Sequence, residues 1–206
     1  MAGIGLYGVY YSKGTIVDGV LTSFTGLKTM GKAIAATFTP EEAGEDNLRA
    51  NNGIAESDAQ GSAGGALALT LDKLTGDAYE DLFGLTEETE EVTVGTQTVE
   101  GTGYDYTGEE QANAVGVAFI RWRQEAQNRN LHEAVIYSYV TFAEPTDEYQ
   151  TMGESVEWQT PELEGVVSAG SVCGTYPWMR RYTFPSQAAA IQFITDYFAA
   201  PTPPGP

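Results

Sequence analysis

The clearest pattern along the chain is the alternation from Ala66 to Leu71: Leu67, Leu69 and Leu71 share one face, and Ala66, Ala68 and Thr70 share the other. A period of two predicts a half-buried strand. Two longer segments carry the same signal. In Ala114–Arg123, Val117 and Phe119 lie on one side, continued by Arg121 and Arg123, while Ala118, Ile120 and Trp122 lie on the other. His132–Phe142 contains Ile136, Tyr137, Tyr139, Val140 and Phe142. The polar stretch Gln127–Asn130 between them predicts an antiparallel hairpin. The period changes near the end of the chain. Over Ser186–Phe198, Ala190, Ile191, Ile194, Tyr197 and Phe198 fall on one arc with Phe193 at its edge, and Gln192, Thr195 and Asp196 fall opposite. That spacing predicts an amphipathic helix with Ser186 at its start.

Shorter signals fill in the rest. Ile4–Tyr11 reads as a strand or an extended arm, Asp18-Gly19 as a turn, and Gly31–Pro40 as a strand ended by its proline. Glu41–Asp46 reads as an acidic turn, Asn47–Ala50 as a short strand closed by Asn51-Asn52-Gly53, and Ala59–Gly65 as a small-residue loop. Thr75–Phe83 reads as a short helix capped by Thr75 and stopped by Gly84. Val156–Thr160 and Leu163–Ser168 read as strands around the Thr160-Pro161 bend, and Met179–Phe184 as another. The Pro-rich end, Ala200–Pro206, supports neither a helix nor a central strand. The expected fold is a single α+β domain: mostly antiparallel sheet, one short helix, and a C-terminal helix packed on the sheet.

Thr86–Gln111 breaks the pattern. It holds eight acids (Glu87, Glu88, Glu90, Glu91, Glu100, Asp105, Glu109 and Glu110) and no base. Val92–Val94 and Thr96–Val99 flank Gly95 and suggest a floppy hairpin. With so few apolar residues the segment cannot pack by itself, so it is expected to be a long acidic loop or arm.

Charge narrows the partners. The net charge is −19, the sign opposite to that of a nucleic-acid binder, and an acidic membrane surface repels such a chain. The single cysteine, Cys173, cannot pair within the chain. Met1–Tyr11 has no base and no long apolar run, unlike a signal peptide, and no stretch approaches the roughly 18 apolar residues of a membrane span. The expectation is a soluble protein made in a cytoplasm.

The inventory for catalysis is poor. The one histidine, His132, lies in a predicted strand, and no Cys/His cluster has zinc spacing. The run Gly61–Gly65 lacks the lysine of a phosphate loop, and the acids of Glu41–Asp58 lack calcium-loop spacing. Glu154, Glu157, Glu162 and Glu164 offer carboxylate pairs of a kind that any acidic protein offers. Trp122, Trp158 and Trp178 are candidate platforms for a sugar, although strand aromatics usually serve core or interface.

Several segments, in order, carry a resemblance to a known family. They are Ile4-Gly5-Leu6 leading to Tyr10; Gly31-Lys32-Ala33-Ile34-Ala35-Ala36; and Ile54-Ala55-Glu56-Ser57-Asp58 with the Gly64–Leu71 strand and the Asp72-Lys73-Leu74 turn. Ala114–Trp122 follows, then Val140–Gly165 with its Phe-Ala-Glu-Pro turn and the run Gly153-Glu154-Ser155-Val156-Glu157-Trp158-Gln159-Thr160-Pro161-Glu162-Leu163-Glu164-Gly165. The chain resembles the major tail (tail tube) proteins of siphophages that infect Gram-positive bacteria. Thr86–Gln111 and the Pro-rich end fall outside the match.

The resemblance implies a β-sandwich subunit with a flanking helix and no active site or cofactor. It also implies hexameric rings that stack into a tube around a tape-measure protein, meet tail-terminator or distal tail proteins, and later conduct the genome. Localisation to the virion tail, after assembly in the host cytoplasm, follows from the same likeness. Within that frame Glu87, Glu88, Glu90, Glu91, Glu100 and Asp105 are the expected inter-subunit arm. Asp58 and Asp72 are candidates for an acidic lumen wall that repels DNA. The alternative is a carbohydrate- or receptor-binding β-sandwich.

Overall fold

A computed structural model of the chain describes residues 3–41, 45–50, 53–59, 64–124, 130–145 and 160–199; for 3–4, 45–50 and 53–59 the description is of the backbone alone. In chain order the strands are β1 (Gly3–Val17), β2 (Val20–Phe24), β3 (Lys28–Gly31), β4 (Ala33–Pro40), β5 (Glu45–Ala50), β6 (Gly53–Ala59) and β7 (Gly64–Leu71). Helix α1 (Gly76–Phe83) follows, then β8 (Glu87–Val94), β9 (Gln97–Tyr104), β10 (Val115–Gln124), β11 (Asn130–Phe142), β12 (Glu162–Ser168), β13 (Met179–Phe184) and α2 (Gln187–Ala199). One sheet runs β2-β1-β10-β11-β12-β7-β4, with β3 also on β1 and β13 also on β11. Its pairings are antiparallel.

The hairpin expected from the two strongest alternations is the centre of the sheet. β10 and β11 pair from Gln124↔Asn130 to Val115↔Val140. The pairing is not uniform: Val117 faces Tyr137 but Val115 faces Val140, so β11 carries one extra residue at Ser138-Tyr139. Such a bulge reverses which residues face which side. Before it, Val135 and Tyr137 point into one core; after it, Val140 and Phe142 do. The bulge also marks where β11 changes its outer partner. Residues His132–Tyr137 pair with β13, and Val140–Phe142 pair with β12. Ser138 is tied down there: its amide donates to Trp178 O at 3.0 Å, and its hydroxyl lies 2.7 Å from Tyr197 Oη.

Both faces of the central strands are covered. One face (Val115, Val117, Phe119, Val135, Tyr137) packs with Val9, Tyr11, Leu67, Leu69, Leu71 and the α1 residues Leu82 and Phe83. The sheet curls to achieve this, bringing Phe38 of β4 over Tyr137 of β11 with ring centroids 5.0 Å apart. The architecture is therefore α+β and mainly antiparallel, a sandwich-like sheet folded over itself. The other face (Ala118, Ile120, Ala134, Ile136) receives α2 through Ala190, Ile194, Tyr197 and Phe198. Ser186 accepts the Ala189 amide at 3.3 Å and starts that helix. Gly116 lets the helix come close, since a Cβ there would collide with the rings of Phe198 and Phe24.

Helix α1 is fixed by polar contacts at its surface. Asp81 accepts from Tyr11 Oη at 3.1 Å and from Lys28 Nζ at 2.7 Å, while Asn113 N donates to Leu82 O at 2.8 Å. Gly84, at φ 72°, ends the helix as expected. Thr75 precedes it without a capping bond; its hydroxyl donates to Thr29 O instead.

The structure departs from the sequence reading in several places; β6 was not anticipated, and β5 begins at Glu45, inside the expected Glu41–Asp46 turn. The Asp18-Gly19 turn closes a hairpin whose second strand, β2, was not anticipated, and neither was β3. The arm or strand at Ile4–Tyr11 is a strand that runs on to Val17. The expected long loop at Thr86–Gln111 is mostly regular, because β8 and β9 pair over their whole length as a separate two-stranded sheet. Gly95, at φ 66°, supplies the positive dihedral that a two-residue turn with glycine first requires. Residues 156–159 of the expected Val156–Thr160 strand and the Pro-rich end lie outside the described residues.

Two predictions follow from this packing. Ile194→Ala should cost about 2–5 kcal/mol in urea unfolding by opening a cavity under α2, and Ile194→Asp should prevent folding. Burial pushes the Tyr197 hydroxyl up to about 12. An unfolded tyrosine releases its proton near pH 10, so stability from this group is full below pH 10 and drains as pH rises toward 12. Thermal melts across that range should show the loss, and Tyr197→Phe should reduce it, leaving the share of the other buried tyrosines such as Tyr137.

Candidate assembly surfaces

Among the described residues, the β8–β9 hairpin meets the body at its root. Tyr104 Oη donates to Gly76 O at 3.1 Å, its ring stacks on Tyr79 at 5.6 Å, and Glu87 N donates to Glu80 at 3.1 Å. Beyond the root every β8 residue is exposed. The register gives its two faces different chemistry. Val92 lies opposite Val99, and Val94 opposite Gln97, so Val92, Val94 and Val99 share one face near the turn, at 55%, 67% and 54% exposure. Gly101 and Gly103 add no side chain to that face, and Glu88 and Glu90 continue it. The opposite face sets Thr93 against Thr98 and Glu91 directly against Glu100, a like-charge pair.

The six expected arm residues do share one segment: five lie on the two hairpin strands and Asp105 follows β9. The valines, which marked the hairpin in the sequence, are the apolar part of its strands. After the hairpin, Glu110 accepts from the amides of Thr107 and Gly108 and from the Thr107 hydroxyl at 2.6–2.8 Å. These bonds hold its carboxyl down at about 2.

A second feature is a cleft of roughly 430 Å³ lined by Leu6, Phe38, Phe119, Tyr137, Arg121 and Arg181, among others. It opens between β4 and the far end of the β1–β10–β11 layer. Buried Glu133 organises the polar end: it accepts from Arg121 Nε at 2.8 Å and from Arg123 at 2.9 Å. Sequence reading placed both arginines on the same side of β10 as Val117 and Phe119 but passed over Glu133. Its signal was available, because hairpin register sets Glu133 opposite Arg121, on the same strand face as Val135 and Tyr137. Burial raises the Tyr137 hydroxyl above its ordinary range, against the pull of Arg181 beside it.

The lumen candidates part company. Asp72 is exposed but locally engaged: it accepts from the amides of Lys32 at 2.7 Å and Lys73 at 2.8 Å, and these bonds lower its pKa. It ties the β3–β4 junction to the turn after β7. Asp58 lies in β6, where the side chains fall outside the description.

The candidate sugar platforms also separate. Trp178 packs against the core beside Phe38, whereas Trp122 is 41% exposed and lies parallel to His132, 6.3 Å between centroids. Trp158, Glu154 and Glu157 lie outside the described residues. Glu162 and Glu164 share the exposed face of β12. Cys173 is buried and donates to Ser168 O, and burial raises its thiol pKa. Among the described residues no group of three or more His, Cys, Asp or Glu is placed to hold a metal ion, and no helix is long and apolar enough to cross a membrane.

A comparison with protein-family models finds no match to this chain, and a comparison with curated proteins finds none either.

Glu133→Ala should leave Arg121 and Arg123 facing each other without a counter-ion at a partly buried site. The expected cost is about 1–3 kcal/mol in urea unfolding, while Glu133→Gln, which keeps two polar contacts, should cost less.

Proposed function

We propose that this chain is the structural subunit of a siphophage tail tube, closing into hexameric rings that stack into a conduit for DNA. The observation that carries the reading is the β8–β9 hairpin, which leaves the body with Val92, Val94 and Val99 exposed and which forms a sheet of only two strands. A two-stranded ribbon is marginal alone, and a projecting apolar face is worth keeping where a neighbour covers it. The likeness of Gly31–Ala36, Ala114–Trp122 and Val140–Gly165 to tail tube proteins supplies the kind of assembly.

In that assembly the hairpin is an inter-subunit arm, and the chain meets a tape-measure protein within the tube and terminator or distal tail proteins at its ends. The net charge of −19 suits a wall past which DNA slides without binding. The subunit carries out no catalysis in this reading. A glycan-binding module is the competing reading, favoured by the Trp122–His132 stack. Such a module binds sugars as a monomer.

Electron microscopy of concentrated protein should show rings or tubes, and sedimentation should show mass growing with concentration. Monomer at every concentration, with glycan binding, would replace the tube with the module. Protease should cut Glu87–Tyr104 in free protein and spare it in tubes; equal cleavage in both would make the hairpin an exterior decoration.

A further inference from the structure

We propose that the β8–β9 hairpin seats its valine face in the arginine-flanked cleft of a second copy of this chain. The inference rests on the self-assembly reading and names the two surfaces that meet. The hairpin presents Val92, Val94 and Val99 near its turn with Glu88 and Glu90 behind them on the same face, and Glu87–Tyr104 contains no base. The cleft, of roughly 430 Å³, combines the apolar side chains of Leu6, Phe38, Phe119 and Tyr137 with the cationic Arg121 and Arg181 in its lining. Arg121 and Arg123 share the single carboxylate of Glu133, so with Arg181 this end is net positive in a chain of net charge −19. Among possible occupants, an acidic apolar ribbon fits that sign.

The hairpin root packs on α1, which Asn113 joins to the start of β10, whereas the cleft lies at Arg121 toward its other end. At about 3.3 Å per residue the two sites are on the order of 20 Å apart along that strand. In the single chain the three valines stay exposed. Tip and cleft are different surfaces, so each copy offers one of each. Such head-to-tail contacts close into a ring or extend as a filament, according to the rotation between neighbours.

Cysteine trapping tests this directly. Val94→Cys and Ala35→Cys, both at exposed positions, are purified separately, mixed and oxidised; native Cys173 is buried. The expected result is a disulfide-linked dimer in the mixture well above the yield of either variant alone. Glu90→Arg should weaken association about tenfold at low salt, and adding Arg181→Glu to the same chain should restore it. If the wild type forms rings or tubes but the mixture gives no excess dimer and the charge swap no rescue, the inference falls while the tube reading stands. If the wild type never associates at any concentration, both fall.

Discussion

The extra residue in β11 at Ser138-Tyr139 is the constraint on which most of the structure depends. A strand paired on both edges and buried on both faces would ordinarily continue one flat sheet. Here β11 keeps β10 along one edge but gives its other edge first to β13 and then to β12. The bulge twists the strand between these partners and lets β12–β7–β4 curl back over Tyr137. It also brings Ser138 under α2, where its hydroxyl meets Tyr197. The two cores on either side of the sheet follow from strand alternation along β10 and β11, and the bulge keeps Val140 and Phe142 in the same core as Val135 and Tyr137.

The body is therefore well supplied with internal partners, and the contrast with the hairpin is energetic. Each large apolar side chain buried under α2 or against Leu67–Leu71 contributes about 1.5–3 kcal/mol. The β8–β9 ribbon has no such term, carries Glu91 opposite Glu100, and keeps its place through Tyr104, Tyr79 and Glu80 at its root. What the ribbon lacks within one chain, a surface to lie on, is what a neighbour's cleft supplies in the proposed assembly. A fold with two packed cores and an apolar face left exposed on a projecting ribbon suits a building block.

Much of this was legible in the sequence, for identifiable reasons. β7, β10 and β11 are half or wholly buried, so their period-two patterns are strong, and α2 shows its 3.6-residue arc because one face meets the sheet. The bulge was not legible, since apolar residues of both parities (Ile136, Tyr137, Tyr139, Val140 and Phe142) crowd this strand and both of its faces are buried. β2 and β3 are short and owe their form to pairing with β1. The hairpin's length was underestimated because none of its valines is buried, leaving no core face for the pattern to record. Glu133 was missed because strand position alone does not separate a buried acid from a solvated one; only its register against Arg121 does.

The central claim is that a neighbouring copy completes the hairpin, and amide hydrogen exchange measured against protein concentration tests it most directly. In dilute monomer, the amides of Glu87–Tyr104 should exchange rapidly while those of β10 and β11 stay protected. As concentration rises into the associating range, the hairpin amides should become protected together with the backbone around Leu6, Ala36 and Arg181. Hairpin amides that exchange equally fast in monomer and in assembly, or that are already fully protected in the monomer, would contradict the account.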